Sequence, residues 1–356
     1  MRHNQKTTAR RDALAKLILS GTASVMYPLL ALAKTPLGDT HSHLGMSMRE
    51  ANLSLKEQFT QNDVRLVSYA VVSDAPFITR APDGRVVQRS NTPIQPGEYL
   101  NTFKRFSERS LGRLRREGLN LVLKASDVDT ALAGETRVVL STEGAHYLES
   151  DTKNLDFVHS LGFRQIGLGH FIEGDITDIR TEMPKHNGLT AFGKDVIKKC
   201  NEIGVVVDLA HSTDKAVEDA LQIARKPLLW SHSSITPFRS DYRSGRGQIM
   251  SISKDNAIEI AKKGGVIGIW PSLSNYTSIE NYAESLIKLI DWVGEDHLAF
   301  GTDMSGLGPM ALFGDNHYRD LRKVADHLES IGTKKETLEK LCFGNYGRLL
   351  RQCLTA

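Results

Sequence analysis

The sequence is poor in cysteine. Its 356 residues include only three, Cys200, Cys342 and Cys353, and none of them forms a CxxC pair. This number and spacing exclude a disulfide framework and a cysteine-based zinc finger. The odd number favours buried free thiols, while a disulfide between Cys342 and Cys353 is the alternative in an oxidising compartment.

Motifs for nucleotide binding and for serine catalysis are also absent. No GxGxxG or GxxxxGK(S/T) pattern occurs in the sequence, so nucleotide binding is not predicted. The GxSxG pattern of serine hydrolases is missing as well. Ser231 stands beside His232, but the sequence offers no third residue of a triad. A serine nucleophile is therefore not predicted.

The net charge is small and unevenly distributed. The whole chain carries a formal charge of +3 at pH 7. Residues 1–33 contain five basic residues and one acidic residue, a net charge of +4, which leaves −1 for residues 34–356. The basic excess is confined to the amino terminus, and a nucleic-acid partner is not predicted.

The amino terminus is typical of an export signal. The pair Arg10-Arg11 precedes a mildly apolar segment, residues 17–33, which ends on a small-x-small pattern that a signal peptidase cleaves. We predict an export signal over residues 1–33, similar to bacterial twin-arginine signals, and a periplasmic location. A transmembrane helix is the alternative. The segment contains Pro28 and is short and weakly apolar, so no stable membrane insertion is expected after signal removal.

From residue 34 onward, strand-like and helix-like segments alternate. Eight short β-rich runs are predicted as strands, at 37–43, 65–72, 137–143, 163–170, 205–211, 227–232, 265–270 and 297–303. Helical periodicity predicts amphipathic helices at 192–201, 214–223, 254–263 and 279–293. This alternation predicts that residues 34–356 form a single (β/α)8 TIM barrel.

Two regions depart from the regular alternation. Residues 73–118 contain several prolines and are predicted as a long excursion that ends in a basic helix at 104–116. Residues 317–354 are predicted as two or three additional C-terminal helices, broken at Gly332 and Gly344.

Histidine or a carboxylate stands at the end of most predicted strands. In a parallel barrel all these strand ends meet at one face, where active sites lie. We therefore expect one cluster formed by His41, His43, Glu143, His170, His211, His232 and Asp303.

Each of these residues also has an ordinary interpretation. The HxH pair at His41 and His43 can arise by chance, and a lone histidine is more often a satisfied core residue. Glu143 could form an ion pair with Arg137 or Arg164. Together, however, the positions favour one metal site, and imidazole with carboxylate suits zinc.

Five or six ligands exceed the need of one tetrahedral zinc ion. A bridging carboxylate such as Glu143 allows two ions that share a water molecule, and their charge would leave hydroxide as the nucleophile. Asp303 would accept the proton of this water and pass it to the leaving group.

Eight short blocks carry a resemblance to a known family. They are GDTH at 38–41, STEG at 141–144, LGFR at 161–164 with the following segment to 170, VDLAH at 207–211, SHSS at 231–234, GGVIG at 264–268, GTDMSG at 301–306 and FGNYGR at 343–348. In this order they resemble the membrane (renal-type) dipeptidase family, a zinc-dependent branch of the amidohydrolase-like barrels.

The resemblance implies roles for the strand-end residues. His170 would polarise the scissile carbonyl, and Asp303 would bond to the bridging water. An arginine after the SHSS block would bind the substrate carboxylate, and both Arg243 and Arg246 fit this role. The implied metal ligands are His41, His43, Glu143, His211 and His232, with Glu143 shared by two zinc ions.

One position departs from the family pattern. The family usually has aspartate two residues after the first histidine, where this chain has His43. The exchange removes a negative charge, so we expect weaker binding of the first ion and a more acidic bridging water.

The main hypothesis is an exported zinc dipeptidase that acts on free dipeptides. One alternative is a related hydrolase of cyclic amides, lactams or lactones, which His43 motivates. Another is a non-catalytic periplasmic binding protein on a decayed enzyme scaffold. The resemblance leaves room for a homodimer.

Overall fold

The computed structural model describes residues 34–46, 50, 52–80, 86–89, 93–237, 250–314 and 317–355. Residues Thr35–Ala356 belong to one compact unit. The predicted export signal at 1–33 lies outside the described residues. Among the described residues, no helix has the length and apolar character that crossing a membrane requires.

Thirteen strands are present in the described part of the chain. In chain order they are β1 Leu37–Ser42, β2 Val64–Val72, β3 Ile78–Arg80, β4 Val86–Gln88, β5 Asn120–Leu121, β6 Arg137–Glu143, β7 Phe163–Gly167, β8 Val206–Asp208, β9 Leu229–Trp230, β10 Ile235–Thr236, β11 Ile252–Ser253, β12 Val266–Ile269 and β13 Leu298–Phe300.

Eight of these strands form the barrel. They pair in the order β1-β2-β6-β7-β8-β9-β12-β13, and every pairing is parallel. Two backbone hydrogen bonds complete the ring next to β13, from Asp303 N to His41 O (3.0 Å) and from His43 N to Met304 O (2.8 Å). The predicted TIM-barrel architecture is confirmed. The short strand β5 lies beside β6, while β3-β4 and β10-β11 form separate small sheets.

Helices follow most barrel strands. They are α1 Leu55–Gln61, α2 Glu98–Arg116, α3 Ala125–Leu132, α4 Lys153–Ser160, α5 Ala191–Ile203, α6 Asp214–Ile223, α7 Lys254–Lys262, α8 Ile279–Val293, α9 His317–Ser330, α10 Lys335–Glu339 and α11 Asn345–Cys353. Five of them begin after a serine or threonine whose hydroxyl accepts a backbone N–H of the first turn, at Ser54, Thr190, Thr213, Ser253 and Ser278.

Most predicted elements lie where the sequence placed them, with two corrections. The basic helix α2 begins at Glu98, six residues before its predicted start. The predicted break at Gly344 is wrong, because this residue has helical dihedrals (φ −60°, ψ −43°) and ends a π-helical turn, Lys340–Gly344, that joins α10 to α11. One glycine inside a helix costs only about 1 kcal/mol, which the packing of α11 outweighs. The break at Gly332 is confirmed by its left-handed φ of 82°.

The carboxy-terminal helix α11 packs against apolar residues of the barrel strands. Tyr346 and Leu350 share a core cluster with Val139 of β6 and Val206 of β8. The Tyr346 hydroxyl donates to Gln165 Oε1 inside the barrel at 2.8 Å. The last of the additional C-terminal helices therefore packs into the core of the barrel. The three cysteines are buried and free, as predicted.

Candidate metal centre

The strand ends bring seven side chains into one buried cluster. These are the residues predicted from the strand ends, and none is more than 8% exposed. We call this group the central cluster: His41, His43, Glu143, His170, His211, His232 and Asp303. The barrel thus unites residues that are up to 262 positions apart in the sequence.

Glu143 ends β6 and lies among the histidines of the central cluster. Its Oε1 lies 2.9 Å from His211 Nε2 and 3.4 Å from the Nε2 atoms of His41 and His232. Its Oε2 lies 3.2 Å from His43 Nε2 and 3.3 Å from His170 Nε2. Five imidazoles therefore present Nε2 to one carboxylate.

The histidines also approach one another in pairs. His41 Nε2 lies 3.0 Å from His43 Nε2, as expected for side chains two apart on a strand. His211 Nε2 lies 3.1 Å from His232 Nε2. Nitrogen lone pairs and carboxylate oxygens thus meet in a site shielded from water, which is the donor set that zinc and similar divalent metals prefer.

The Nδ1 atoms of His43 and His170, which point away from Glu143, each donate to a hydrogen-bond acceptor. His43 Nδ1 donates to the carbonyl oxygen of Ala70 on β2 at 2.8 Å. His170 Nδ1 donates to Asp74 Oδ1 at 2.6 Å. Because these oxygens can only accept, Nδ1 carries the hydrogen and Nε2 faces the cluster, an arrangement typical of metal-ligating histidines.

The charges of the cluster favour an ionised carboxylate at its centre. Burial alone would raise the pKa of Glu143, but nearby His170, His41 and His43 hold that pKa well below its usual range. Burial lowers the pKa of His41 to about 4. At His43 burial acts in the same direction, but the charge and hydrogen bond of Glu143, together with Asp303 and the carbonyl of Ala70, outweigh it and raise the pKa to about 9. Positive charge beside Glu143 is therefore stabilised.

Asp303 follows β13 and faces His43, with Oδ1 at 3.4 Å from His43 Nε2. Burial raises the pKa of Asp303 to about 7, against the opposing effect of His43. A carboxyl group with this pKa can exchange a proton near neutrality. Gly306 leaves room for the Asp303 carboxylate, since a Cβ at position 306 would lie 1.9 Å from Asp303 Oδ1.

Two further buried aspartates fix the segments that carry the cluster. Asp39 accepts hydrogen bonds from Thr302 N at 2.9 Å and Thr302 Oγ1 at 2.6 Å. Asp208 Oδ1 accepts from the backbone N–H groups of Ala210 at 3.1 Å and Ser231 at 3.0 Å. Each aspartate lies within three residues of a cluster histidine in sequence, and each bonds to the segment of a neighbouring strand.

Asp74 is a site residue that the sequence reasoning missed. It lies two residues beyond β2, is fully buried and accepts from His170 and from two backbone N–H groups. The sequence did contain a signal for this residue, since Asp74 follows a predicted strand and the residues of the central cluster lie at strand ends.

The competing interpretation of Glu143 as the ion-pair partner of an arginine is wrong. Arg137 pairs with Glu135 at 3.1 Å, and Arg164 donates to backbone carbonyls, so neither arginine neutralises Glu143. Ser231 Oγ lies 2.9 Å from His232 Nδ1, on the side of the ring that faces away from Glu143.

The family comparison agrees with this geometry. The family model described as membrane dipeptidase (peptidase family M19) matches residues 29–356. The chain belongs to the membrane dipeptidase family. The predicted resemblance is thereby confirmed, and members of this family are metal-dependent enzymes.

Named relatives of the dipeptidase family match parts of the chain. Dipeptidase tcpJ of Claviceps purpurea is 29% identical over 245 residues, which cover 67% of this chain and 56% of that protein. Dipeptidase 3 of Mus musculus is 25% identical over 60% of this chain and 44% of that protein. The chain thus spans about half the length of these curated relatives.

A solved structure of a metallopeptidase shares the fold. A metallopeptidase from Rhodobacter sphaeroides superposes with a TM-score of 0.73 at 18% identity, covering 90% of this chain and 99% of that chain. That protein was crystallised with a phosphinate mimic of the dipeptide L-Ala-D-Ala. At this identity the likeness demonstrates the barrel fold.

The side chains present here fit the metal dependence of the dipeptidase family. Three overlapping groups in the cluster have ligand atoms within 4.8 Å of one another: His41 with Glu143 and His232, His41 with His43 and Asp303, and Glu143 with His170 and His211. His43 can serve as a ligand at the position of the usual family aspartate, because its Nε2 faces Glu143. Arg243 and Arg246 lie outside the described residues.

Proposed function

We propose that the protein is an exported zinc dipeptidase that hydrolyses the peptide bond of free dipeptides. The observation that carries this proposal is the convergence of five imidazole Nε2 atoms on the two oxygens of a single buried carboxylate, Glu143. Membership of the dipeptidase family supports the class of substrate.

Two zinc ions would occupy the central cluster. We infer that His41 and His43 bind one ion and His211 and His232 the other, with Glu143 bridging them. The short Nε2–Nε2 distances within each pair support this division. When bound there, zinc would supply a water molecule of low pKa and polarise the substrate carbonyl.

Asp303 would move the proton. Its carboxylate would accept a proton from the attacking water and donate one to the leaving amine. A buried carboxyl group whose pKa lies near 7 suits both directions of transfer. The contact between Asp303 and His43 supports a position beside the first metal-binding pair.

His170 would orient the substrate carbonyl, and an arginine would bind the substrate carboxylate. The Nε2 atom of His170 faces Glu143 Oε2 at 3.3 Å, so a carbonyl at the centre of the cluster would lie within its reach. Arg243 or Arg246 would form the bidentate pair that selects a free carboxy terminus.

A substrate panel tests the proposed activity. Zinc-reconstituted protein should hydrolyse L-Ala-L-Ala or L-Ala-D-Ala and should be at least about tenfold less active on C-amidated forms, because the free carboxylate contributes to binding. Glu143→Gln should abolish the reaction. Hydrolysis of a lactam or lactone without cleavage of any dipeptide would contradict the substrate class. Stoichiometric dipeptide binding without turnover would contradict catalysis itself.

Export has a separate test. Residues 1–33 fused to a reporter that folds before transport should deliver it to the periplasm, and replacement of Arg10 and Arg11 by lysine should prevent this. A reporter that stays in the cytoplasm with the intact arginine pair would contradict the proposal.

A further inference from the structure

Asp74 contacts a histidine of the central cluster without being one of its proposed metal ligands. We propose that Asp74 is the positioning residue of His170: it fixes the hydrogen on Nδ1 and directs Nε2 to the centre of the cluster. The inference rests on the proposed function, because that reaction assigns His170 the role of orienting the substrate carbonyl.

The carboxylate of Asp74 is saturated by donors from one segment. Oδ1 accepts from His170 Nδ1 at 2.6 Å, and Oδ2 accepts from the backbone N–H groups of Phe171 and Ile172, both at 3.1 Å. The side chain of Asp74 is fully buried. The three donors around its two oxygens suit an ionised carboxylate, which only accepts hydrogen bonds.

The carboxylate of Asp74 determines which nitrogen of the His170 ring faces it. Carboxylate oxygens only accept hydrogen bonds, so Nδ1 carries hydrogen whether the ring is neutral or protonated, and the protonated ring also has the Nε2 hydrogen that a substrate carbonyl accepts. The other nitrogen, Nε2, is then the atom that faces Glu143 Oε2 at 3.3 Å. Two backbone bonds to the residues after His170 also fix the direction from which its ring enters the cluster.

His146, which lies outside the central cluster, forms hydrogen bonds in the same region. His146 Nε2 donates to the carbonyl oxygen of Ile172 at 2.7 Å, and Ser73 Oγ lies 3.0 Å from His146 Nδ1. The backbone N–H of Ser73 donates to the carbonyl oxygen of Glu143 at 2.9 Å. The end of β2, the turn after β6 and the segment after β7 therefore form one hydrogen-bonded framework around Asp74.

Asparagine cannot replace this carboxylate without conflict. If the amide oxygen of the substituted side chain accepted from His170, its NH2 group would face the two N–H donors of Phe171 and Ile172. If the amide were reversed, NH2 would face His170 and require an unprotonated Nδ1, which moves the hydrogen to Nε2. Asp74→Asn therefore changes the tautomer or loses hydrogen bonds, while the side-chain volume stays nearly the same.

A double-mutant cycle distinguishes positioning from a structural role. In zinc-reconstituted protein, Asp74→Asn should lower kcat on a hydrolysed dipeptide by about 100-fold or more with a small change in KM, as expected when a catalytic histidine loses its orienting carboxylate. In a His170→Ala background the same substitution should change kcat by less than about threefold. Zinc content should stay at the parent value.

Asp127→Asn is the matched control. Asp127 also accepts two backbone N–H groups, those of Leu123 and Lys124, but it contacts no ring of the central cluster. This variant should keep kcat within about threefold of the parent. Equal losses of kcat from Asp74→Asn in the parent and in the His170→Ala background would overturn the proposal, because Asp74 would then act through the fold.

Nuclear magnetic resonance of the parent protein gives a readout that needs no activity and no Asp74 variant. With ¹⁵N-labelled histidine, the His170 signals, assigned by their loss in His170→Ala, should show hydrogen on Nδ1. An unprotonated Nδ1 would overturn the inference. If no dipeptide is hydrolysed while Nδ1 carries hydrogen, the proposed function fails and the positioning role stands.

Discussion

Asp39, on the first barrel strand, accepts two hydrogen bonds from Thr302, which lies 263 residues away and immediately precedes Asp303. The same carboxylate accepts from the Tyr318 hydroxyl of α9 at 3.0 Å. His41 follows Asp39 by two residues, so one buried carboxylate joins the segment of a proposed metal ligand to that of the proposed proton carrier.

Thr302→Val tests what the hydrogen bond between Thr302 and Asp39 contributes, without changing the backbone of the segment. Valine keeps the shape and the backbone N–H of residue 302 but loses the Oγ1 hydrogen bond to Asp39. We expect the free energy of unfolding to fall by about 1–2 kcal/mol and zinc to bind more weakly. Urea unfolding and chelator competition measure the two effects.

Thr177→Val is the control for Thr302→Val, since Thr177 is equally buried and its hydroxyl donates to the carbonyl oxygen of Asp178. It should lower stability by a similar amount and leave zinc affinity unchanged. Equal zinc affinity in the two variants would show that the Asp39–Thr302 bond has no part in shaping the cluster.

Asp303→Asn should abolish most activity without loss of the fold. Asp303 has a left-handed φ of 47°, which asparagine tolerates as well as aspartate does. Because asparagine cannot accept the proton, kcat should fall by about 10²- to 10⁴-fold while zinc content stays constant. Metal analysis and kinetics on the same preparation check this. A fully active variant would remove Asp303 from the mechanism.

His43→Asp should act in opposite directions in the loaded and the chelator-treated protein. A third carboxylate beside Glu143 and Asp303 adds like-charge repulsion when no cation is present, so the melting temperature of chelator-treated protein should fall. In the loaded protein the added negative charge should tighten zinc binding.

His43→Asn, neutral and of similar size, is the comparison for His43→Asp. It should lack the tighter zinc binding. Zinc affinity that is no higher in the aspartate variant than in the asparagine variant would contradict the electrostatic account of this position.

The stability of chelator-treated protein should fall as the pH rises from 6.5 to 9. The pKa of His43 is raised from 6.5 to about 9 in the folded chain. The folded state therefore holds this proton more tightly than the unfolded state, and the resulting stability is present below pH 6.5 and lost by pH 9. The loss should reach about 3 kcal/mol at most. His43→Asn should lack this component, and parallel curves for the two proteins would rule it out.

The sequence predicted the barrel and the cluster because both depend on local patterns. Runs of apolar residues predicted the barrel strands. The position of His211 or Glu143 at the end of a run predicted the face of the barrel on which it lies. Asp74 was missed because it lies two residues beyond β2, in the irregular excursion, and its partners on the segment after β7 are known only once the barrel has closed. The roles of Asp39 and Asp208 were not predicted, because both lie inside or at the end of strands and their partners are known only after the barrel closes.

The central claim is that Glu143 and its surrounding histidines bind two zinc ions on which dipeptide hydrolysis depends. The most direct test is a titration of chelator-treated protein with zinc, following the initial rate of L-Ala-D-Ala or L-Ala-L-Ala hydrolysis. The account predicts no activity without zinc and a rate that rises to a plateau at two equivalents per chain. A rate independent of added zinc, or no rate at saturating zinc, would contradict it.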